Sequence, residues 1–198
     1  MATEKLPNRA MMVRRLARIL AEAADEQWSK GTFWYASAHS FACQLADEHD
    51  VTVECAAGVI AALSPRLPWD QNVAAARQLF ATGDAPVLGS SKAKALRIRA
   101  GESPVDVLGG DKVIAFYRCV LFPANDTYVC VDRHAVDAAL GAKGTDASRK
   151  RILERKGGYE IVADAYRRAA ERFGVAPAQA QAIVWVCWRE QHAGKRAA

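Results

Sequence analysis

The chain has 198 residues, of which 51% are hydrophobic and 25% charged, enough for one domain with a full core. No run of about 18 apolar residues is present and arginines interrupt the N-terminal segment, so we expect a cytoplasmic protein without signal peptide or membrane anchor. Five scattered cysteines without a close CxxC pair favour neither a metal site nor a disulfide framework, and no cofactor is expected. The formal charge of +5 permits a polyanionic partner without requiring one.

The first two predicted elements are helices. Asn8 can cap a helix in which Met12, Leu16 and Leu20 recur at three- and four-residue spacing, with arginines on the other faces. The periodicity predicts a second helix from about Thr32 to Glu48.

A buried helix and a polar corner follow. Small and branched apolar residues from Ala56 to Leu63 predict a buried helix, prolines stop it, and a further helix extends from Trp69 to Phe80. The corner between these helices carries Ser64, Arg66, Trp69, Asp70 and Asn72. Two interpretations remain open: the side chains line a site, or Ser64 and Asp70 are caps and Trp69 belongs to the core.

A short basic helix lies in the stretch SSKAKALRIRAG, whose cations are Lys92, Lys94, Arg97 and Arg99. Because the stretch has no acidic residue, it is either a solvated face or a surface that follows phosphates.

A Gly-Gly turn comes soon afterwards. Gly109 and Gly110 allow the backbone positive φ, and Asp111 can cap the helix that opens at Lys112. Such a turn directs unpaired amides outward, and together with the lysine charge it predicts a phosphate site.

Asp132 precedes a helix that the sequence predicts to end at Gly141. At the positive end of a helix dipole the carboxylate is favoured in its ionised form, which suits a catalytic carboxylate and also suits plain capping. Both interpretations stay open. His134, two residues further on, is a candidate proton shuttle.

The rest of the chain predicts helices at about 145–156, 159–173 and 177–192, and no convincing strand. We therefore predict an all-α fold, one domain over residues 1–198 with two helical lobes. The central lobe would span about 53–140, and the second lobe would combine 1–50 with 145–192.

Three segments resemble helix-hairpin-helix DNA glycosylases of the endonuclease III type. VIAALSPRLPWDQNVAAARQLF is similar to the helix–corner–helix of their central lobe, LGGDKVIAFY lies where their hairpin would be, and VCVDRHAVDAALG resembles the segment with their catalytic aspartate. The hairpin loop is shorter than the family's LPGVGxxTA, and the cysteine pattern of the cluster-bearing members is absent. The pattern also resembles small actinobacteriophage proteins, and relatives of this fold are proposed to be transferases in phage thymidine hypermodification.

The resemblance implies a two-lobed glycosylase-like fold and roles for particular residues. The catalytic group would comprise Asp132, Lys112 and His134. The nucleic-acid contacts would comprise Gly109, Gly110, Lys112, Arg66, Arg133, Lys92 and Lys94. The pocket for an extruded base would comprise Ser64, Trp69, Asp70 and Asn72.

Three classes of function remain open from the sequence. The first is an enzyme acting on a base in DNA, either by glycosidic cleavage or by transfer to a modified base. The second is a non-catalytic helix-hairpin-helix module that only binds nucleic acid, with DNA favoured over RNA as the partner. The third is a host-directed interaction protein or an enzyme on a small phosphorylated metabolite. The oligomeric state is not specified by the sequence.

Overall fold

The computed structural model of the chain describes residues 7–193, so the ends of the predicted 1–198 domain lie outside the described part. Within this range it contains eleven helices and no strand, which confirms the all-α prediction. In chain order the helices are α1 (Arg9–Glu22), α2 (Asp25–His49), α3 (Val53–Leu63), α4 (Trp69–Thr82), α5 (Gly89–Arg99), α6 (Pro104–Val107), α7 (Asp111–Leu121), α8 (Arg133–Leu140), α9 (Asp146–Leu153), α10 (Gly158–Glu171) and α11 (Pro177–Ala193).

The chain divides into two compact units. The central unit is Ala36–Pro123, and the terminal unit combines the residues up to Tyr35 with those from Ala124 onward. The boundaries differ from the predicted lobes, because residues 124–140 cluster with the chain termini and the second half of α2 belongs to the central unit. The physical reason for the first difference is that α8 buries its apolar face against α1, α10 and α11.

The central unit is built around α3. Thr52 caps this helix by accepting a hydrogen bond from the backbone amide of Cys55 at 3.0 Å. Every residue from Ala56 to Leu63 is buried, because α3 contacts α4, α5, α6 and α7. Gly58 allows the closest of these approaches, since a Cβ there would lie 2.7 Å from the Cγ atom of Pro104 in α6. A helix that is apolar on all sides is stable only when it is enclosed in this way.

The terminal unit packs α1 against α8, α10 and α11. Asn8 caps α1 as predicted, accepting a hydrogen bond from the amide of Met11 at 3.1 Å. Tyr166 of α10 is fully buried and donates its hydroxyl to the carbonyl of Ala135 in α8 at 3.0 Å. Burial and the nearby Asp132 carboxylate raise the pKa of Tyr166. The start of α8 is thereby held against the core.

The predicted start of α2 at Thr32 is wrong, because the helix begins at Asp25 and includes Gly31. Gly31 is buried where α2 meets α11, and a Cβ there would lie 2.5 Å from the backbone nitrogen of Ile183. The glycine therefore serves close helix packing, which overrides its low helix propensity.

We expect Gly31→Ala to lower the free energy of unfolding by about 2 kcal/mol, because the backbone of α11 must move to admit the methyl group. The measurement is chemical denaturation. Gly89→Ala is the matched control, since nothing lies within 4 Å of its Cβ position. A Gly31→Ala variant as stable as the wild-type protein would contradict the close contact between α2 and α11.

Candidate nucleic-acid interface and carboxylate site

The residues that the sequence singled out fall in both units. The central unit contains Ser64, Arg66, Trp69, Asp70, Asn72, Lys92, Lys94, Gly109, Gly110 and Lys112. The terminal unit contains Asp132, Arg133 and His134.

The four residues of the predicted base pocket have mostly structural surroundings. The Ser64 hydroxyl donates a hydrogen bond to the carbonyl of Ala61 at 2.9 Å. The side-chain amide of Asn72 donates one to the carbonyl of Ile60 at 3.2 Å, so both side chains bind the backbone of α3. Trp69 packs edge-on against Phe41, and Asp70 is exposed in the first turn of α4. These contacts explain the corner as a packing feature. Arg66 lies beside it with an exposed side chain and a left-handed φ of +65°.

The basic helix α5 carries less free charge than its sequence indicates. Lys92 forms an ion pair with Asp84 at 2.7 Å, which also holds the pKa of that carboxyl below its usual value. Arg97 pairs with a glutamate just beyond the helix, and Arg99 donates to two carbonyl groups at the end of α4. Lys94 makes no ion pair or hydrogen bond with any residue in 7–193. Of the four cations of α5, only Lys94 therefore keeps its charge available.

Lys94 faces a concavity between the starts of α5 and α7, which we call the α5–α7 cleft. The cleft is lined by Ala62, Pro65, Leu88, Ser90, Ser91, Lys94, Leu108, Gly109 and Val113. A Cβ on Gly109 would lie 3.5 Å from the Lys94 amine, so the lysine reaches the Gly-Gly turn.

The volume of the α5–α7 cleft is about 150 Å³. A space of about 150 Å³ is small for a drug-sized molecule, whose pockets begin at about 300 Å³. It is wide enough for a compact anionic group.

Two helices begin at the α5–α7 cleft, and neither has a side-chain cap. Their first amides have no partner within their own helix and carry the positive end of the helix dipole. Ser91, in the first turn of α5, is only 5% exposed, and its hydroxyl makes no hydrogen bond within the part of the chain that the structure describes. Amides, a serine hydroxyl and a lysine amine are the groups that bind a phosphate oxygen.

The predicted cap of α7 is wrong by one residue. Gly110 is the N-cap, with φ of 80° and ψ of 136°, and Asp111 is the first helical residue. The left-handed φ explains why glycine is needed at this position. Lys112 follows in the first turn with a half-buried side chain.

In the terminal unit, Asp132 is the N-cap of α8. Its Oδ1 atom accepts a hydrogen bond from the amide of Ala135 at 2.8 Å. Its Oδ2 atom accepts none from residues 7–193, and the side chain is half-buried. One carboxylate oxygen therefore orients the group, while the other is left for a further partner.

His134 lies next to this carboxylate. Its Nε2 atom accepts a hydrogen bond from Nε of Arg133 at 3.3 Å, which requires the neutral imidazole with its proton on Nδ1. Burial lowers the pKa of His134, Asp132 and Asp137 raise it, and the guanidinium groups of Arg133 and Arg189 lower it. The net effect is a pKa below the ordinary value, so the imidazole is a proton acceptor near neutral pH.

An aromatic and cationic surface in the same unit was missed by the sequence analysis. The Arg189 guanidinium lies 4.6 Å from the centroid of the Trp185 ring, and Trp34 meets that ring edge-on at 6.1 Å. The four-residue spacing of Trp185 and Arg189 on α11 was the available signal. We call Asp132, Arg133, His134, Trp185 and Arg189 the Asp132 cluster, since the charge of Arg189 acts on His134.

Two absences concern residues 7–193 alone. No three His, Cys, Asp or Glu side chains there are grouped to hold a metal ion. None of the helices in that range combines the length and apolar character needed to cross a bilayer.

We expect the pKa of His134 in the wild-type protein to lie below about 6.5, to rise in Arg189→Ala and to fall further in Asp132→Asn. NMR titration of the imidazole proton measures all three values. The folded protein binds this proton more weakly than the unfolded chain does. The free energy of unfolding should therefore decrease as the pH falls below about 6.5. If the pKa of His134 were unchanged in Arg189→Ala, Arg189 would not belong to the Asp132 cluster.

Comparison with known proteins gives a family and no activity. No curated protein and no solved structure matches the chain. One family model, described as a family of unknown function, matches residues 1–192, which is nearly the whole chain. The chain belongs to this family, DUF7178.

Proposed function

We propose that this protein binds DNA by holding a backbone phosphate in the α5–α7 cleft. The observation that carries the proposal is the convergence of two uncapped helix starts on one small concavity that also contains the Lys94 amine. The likeness of LGGDKVIAFY to the hairpin of helix-hairpin-helix glycosylases supports the same ligand.

The cleft favours an anion for three physical reasons. The helix dipoles of α5 and α7 both direct positive potential into it. Lys94 has no carboxylate partner among residues 7–193, so no carboxylate in that range neutralises its charge. Ser91 lines the cleft, and its hydroxyl has no hydrogen-bond partner among residues 7–193, so it is available to a phosphate oxygen.

We expect Lys94→Ala to weaken binding to a duplex oligonucleotide by about tenfold or more, because a charge-assisted hydrogen bond contributes about 1.5 kcal/mol. The slope of log K against log salt should fall by about 1. Fluorescence anisotropy at several salt concentrations measures both. Lys156→Ala is the control, since Lys156 is exposed and its substitution removes the same charge at a different place.

A second pair of variants tests the cleft itself. Gly109→Asp places a carboxylate beside the Lys94 amine and should abolish phosphate binding, whereas Gly109→Ser should preserve it. Equal DNA affinity in Gly109→Asp and Gly109→Ser would refute phosphate binding in the α5–α7 cleft.

The second candidate function is an enzyme that acts on a base in DNA through Asp132. Three observations favour it: the carboxylate is oriented by one oxygen, its Oδ2 has no partner within residues 7–193, and a neutral imidazole lies beside it. Trp185 and Arg189 supply the ring face and the cation on which an extruded base can stack. The resemblance of VCVDRHAVDAALG to the glycosylase segment supports this role.

In glycosidic cleavage, the electron pair of the C1′–N bond leaves with the base and the oxygen of water bonds to C1′. Asp132 would stabilise the positive charge on the sugar or accept the proton of that water, and His134 is the next acceptor along. In a transferase, Asp132 would accept the proton of an incoming amine that displaces a leaving group from the exocyclic arm of a base.

We expect digestion and mass analysis of treated DNA, both ordinary and phage-type modified, to show a released base or an altered nucleoside. For the transferase, the reaction includes a mixture of primary amines. Asp132→Asn should remove the product and leave DNA affinity unchanged, because the amide keeps the helix cap without the charge. Tight binding without any product in the wild-type protein would reduce the function to that of a DNA-binding module.

A further inference from the structure

The exposed face of α1 carries a basic concavity in the terminal unit. Met11, Arg14, Arg15 and Arg18 line it, and its volume is about 290 Å³. We call it the arginine groove. Met11 is 40% exposed and gives the groove an apolar part, while three guanidinium groups supply its charge.

The arginines of this groove differ from others in the terminal unit. Arg9 and Arg168 both pair with Asp164, at 3.0 and 2.9 Å, and Arg149 pairs with the buried Asp137. Arg14, Arg15 and Arg18 make no ion pair, hydrogen bond or ring contact with any residue from 7 to 193. Like charges one helical turn apart repel each other, so this arrangement lowers the stability of α1.

Arg15 is held in place by the end of α8. A Cβ on Gly141, the C-cap of that helix, would lie 3.1 Å from both Cδ and Nε of Arg15. The helix C-terminus carries partial negative charge, which favours a guanidinium at this position. One member of the groove is therefore positioned before any ligand arrives.

We propose that the arginine groove is a second contact for duplex DNA and binds its phosphate backbone. The proposal shares the ligand of the proposed function and adds a surface in the other unit. A concave cluster of unneutralised charge concentrates its field on a polyanion. Arg14 and Arg18 are about 6 Å apart along the helix axis, and one DNA strand carries a phosphate every 3.4 Å or so along the duplex axis, so they reach separate phosphates. A guanidinium group can bind a phosphate through two parallel N–H···O hydrogen bonds.

The test compares two double charge reversals in the full chain, measured by anisotropy with a labelled duplex. Arg14→Glu with Arg18→Glu changes the groove. Arg155→Glu with Arg172→Glu changes two exposed arginines elsewhere in the same unit and gives the same net charge. We expect the groove variant to lose at least about tenfold more affinity than the control. In Arg14→Ala with Arg18→Ala, the salt slope should fall by about 2.

Circular dichroism melting verifies that each variant is folded, and Arg14→Lys with Arg18→Lys retains the charge and should retain most of the affinity. Equal losses in the two reversals would overturn the proposal, since net charge alone would explain them. So would the absence of duplex binding by the wild-type protein, or arginine-dependent binding to vesicles of anionic phospholipid in its place. If Lys94→Ala weakens duplex binding and the groove variants do not, the arginine groove alone is refuted. If the groove variants weaken binding and Lys94→Ala does not, the α5–α7 cleft alone is refuted.

Discussion

The demand that backbone amides at helix starts be satisfied governs this structure, because eleven helices are packed into the 187 residues between 7 and 193. Asn8, Thr52, Asp132 and Thr145 meet that demand with side-chain caps. The starts of α4, α5, α6, α7 and α10 lack such caps, and those of α5 and α7 share one cleft. At Asp132 a carboxylate of the protein accepts a hydrogen bond from one of these amides, and at the cleft we propose that a phosphate does so. The two candidate sites thus differ in the group that meets the helix-start amides, which is a carboxylate of the protein at Asp132 and the proposed anion at the cleft.

The position of the basic charges is more informative than their sum. Lys92, Arg97 and Arg99 have partners close by, and Arg149 neutralises a buried carboxylate. Lys94 and the arginines at positions 14, 15 and 18 have no such partner among residues 7–193, and they line the α5–α7 cleft and the arginine groove. A formal charge of +5 would not have distinguished them from a solvated basic surface.

Local chemistry allowed the sequence to predict much of the fold. The all-α class, the cap at Asn8, the cap at Asp132 and the end of α8 at Gly141 all depend on residues a few positions apart. The missed features depend on distant partners. Gly31 stays helical because Ile183 passes beside it, and Asn72 turns to the backbone of α3. The surface formed by Trp185 and Arg189 became a candidate site only because the charge of Arg189 acts on His134, which is about fifty residues earlier in the chain.

The terminal unit is discontinuous in the chain, whereas the central unit is a single stretch. During synthesis the central unit therefore leaves the ribosome before α8, α10 and α11 do. The apolar side chains of α1, including Leu16 and Leu20, must wait for those later helices before they can leave water.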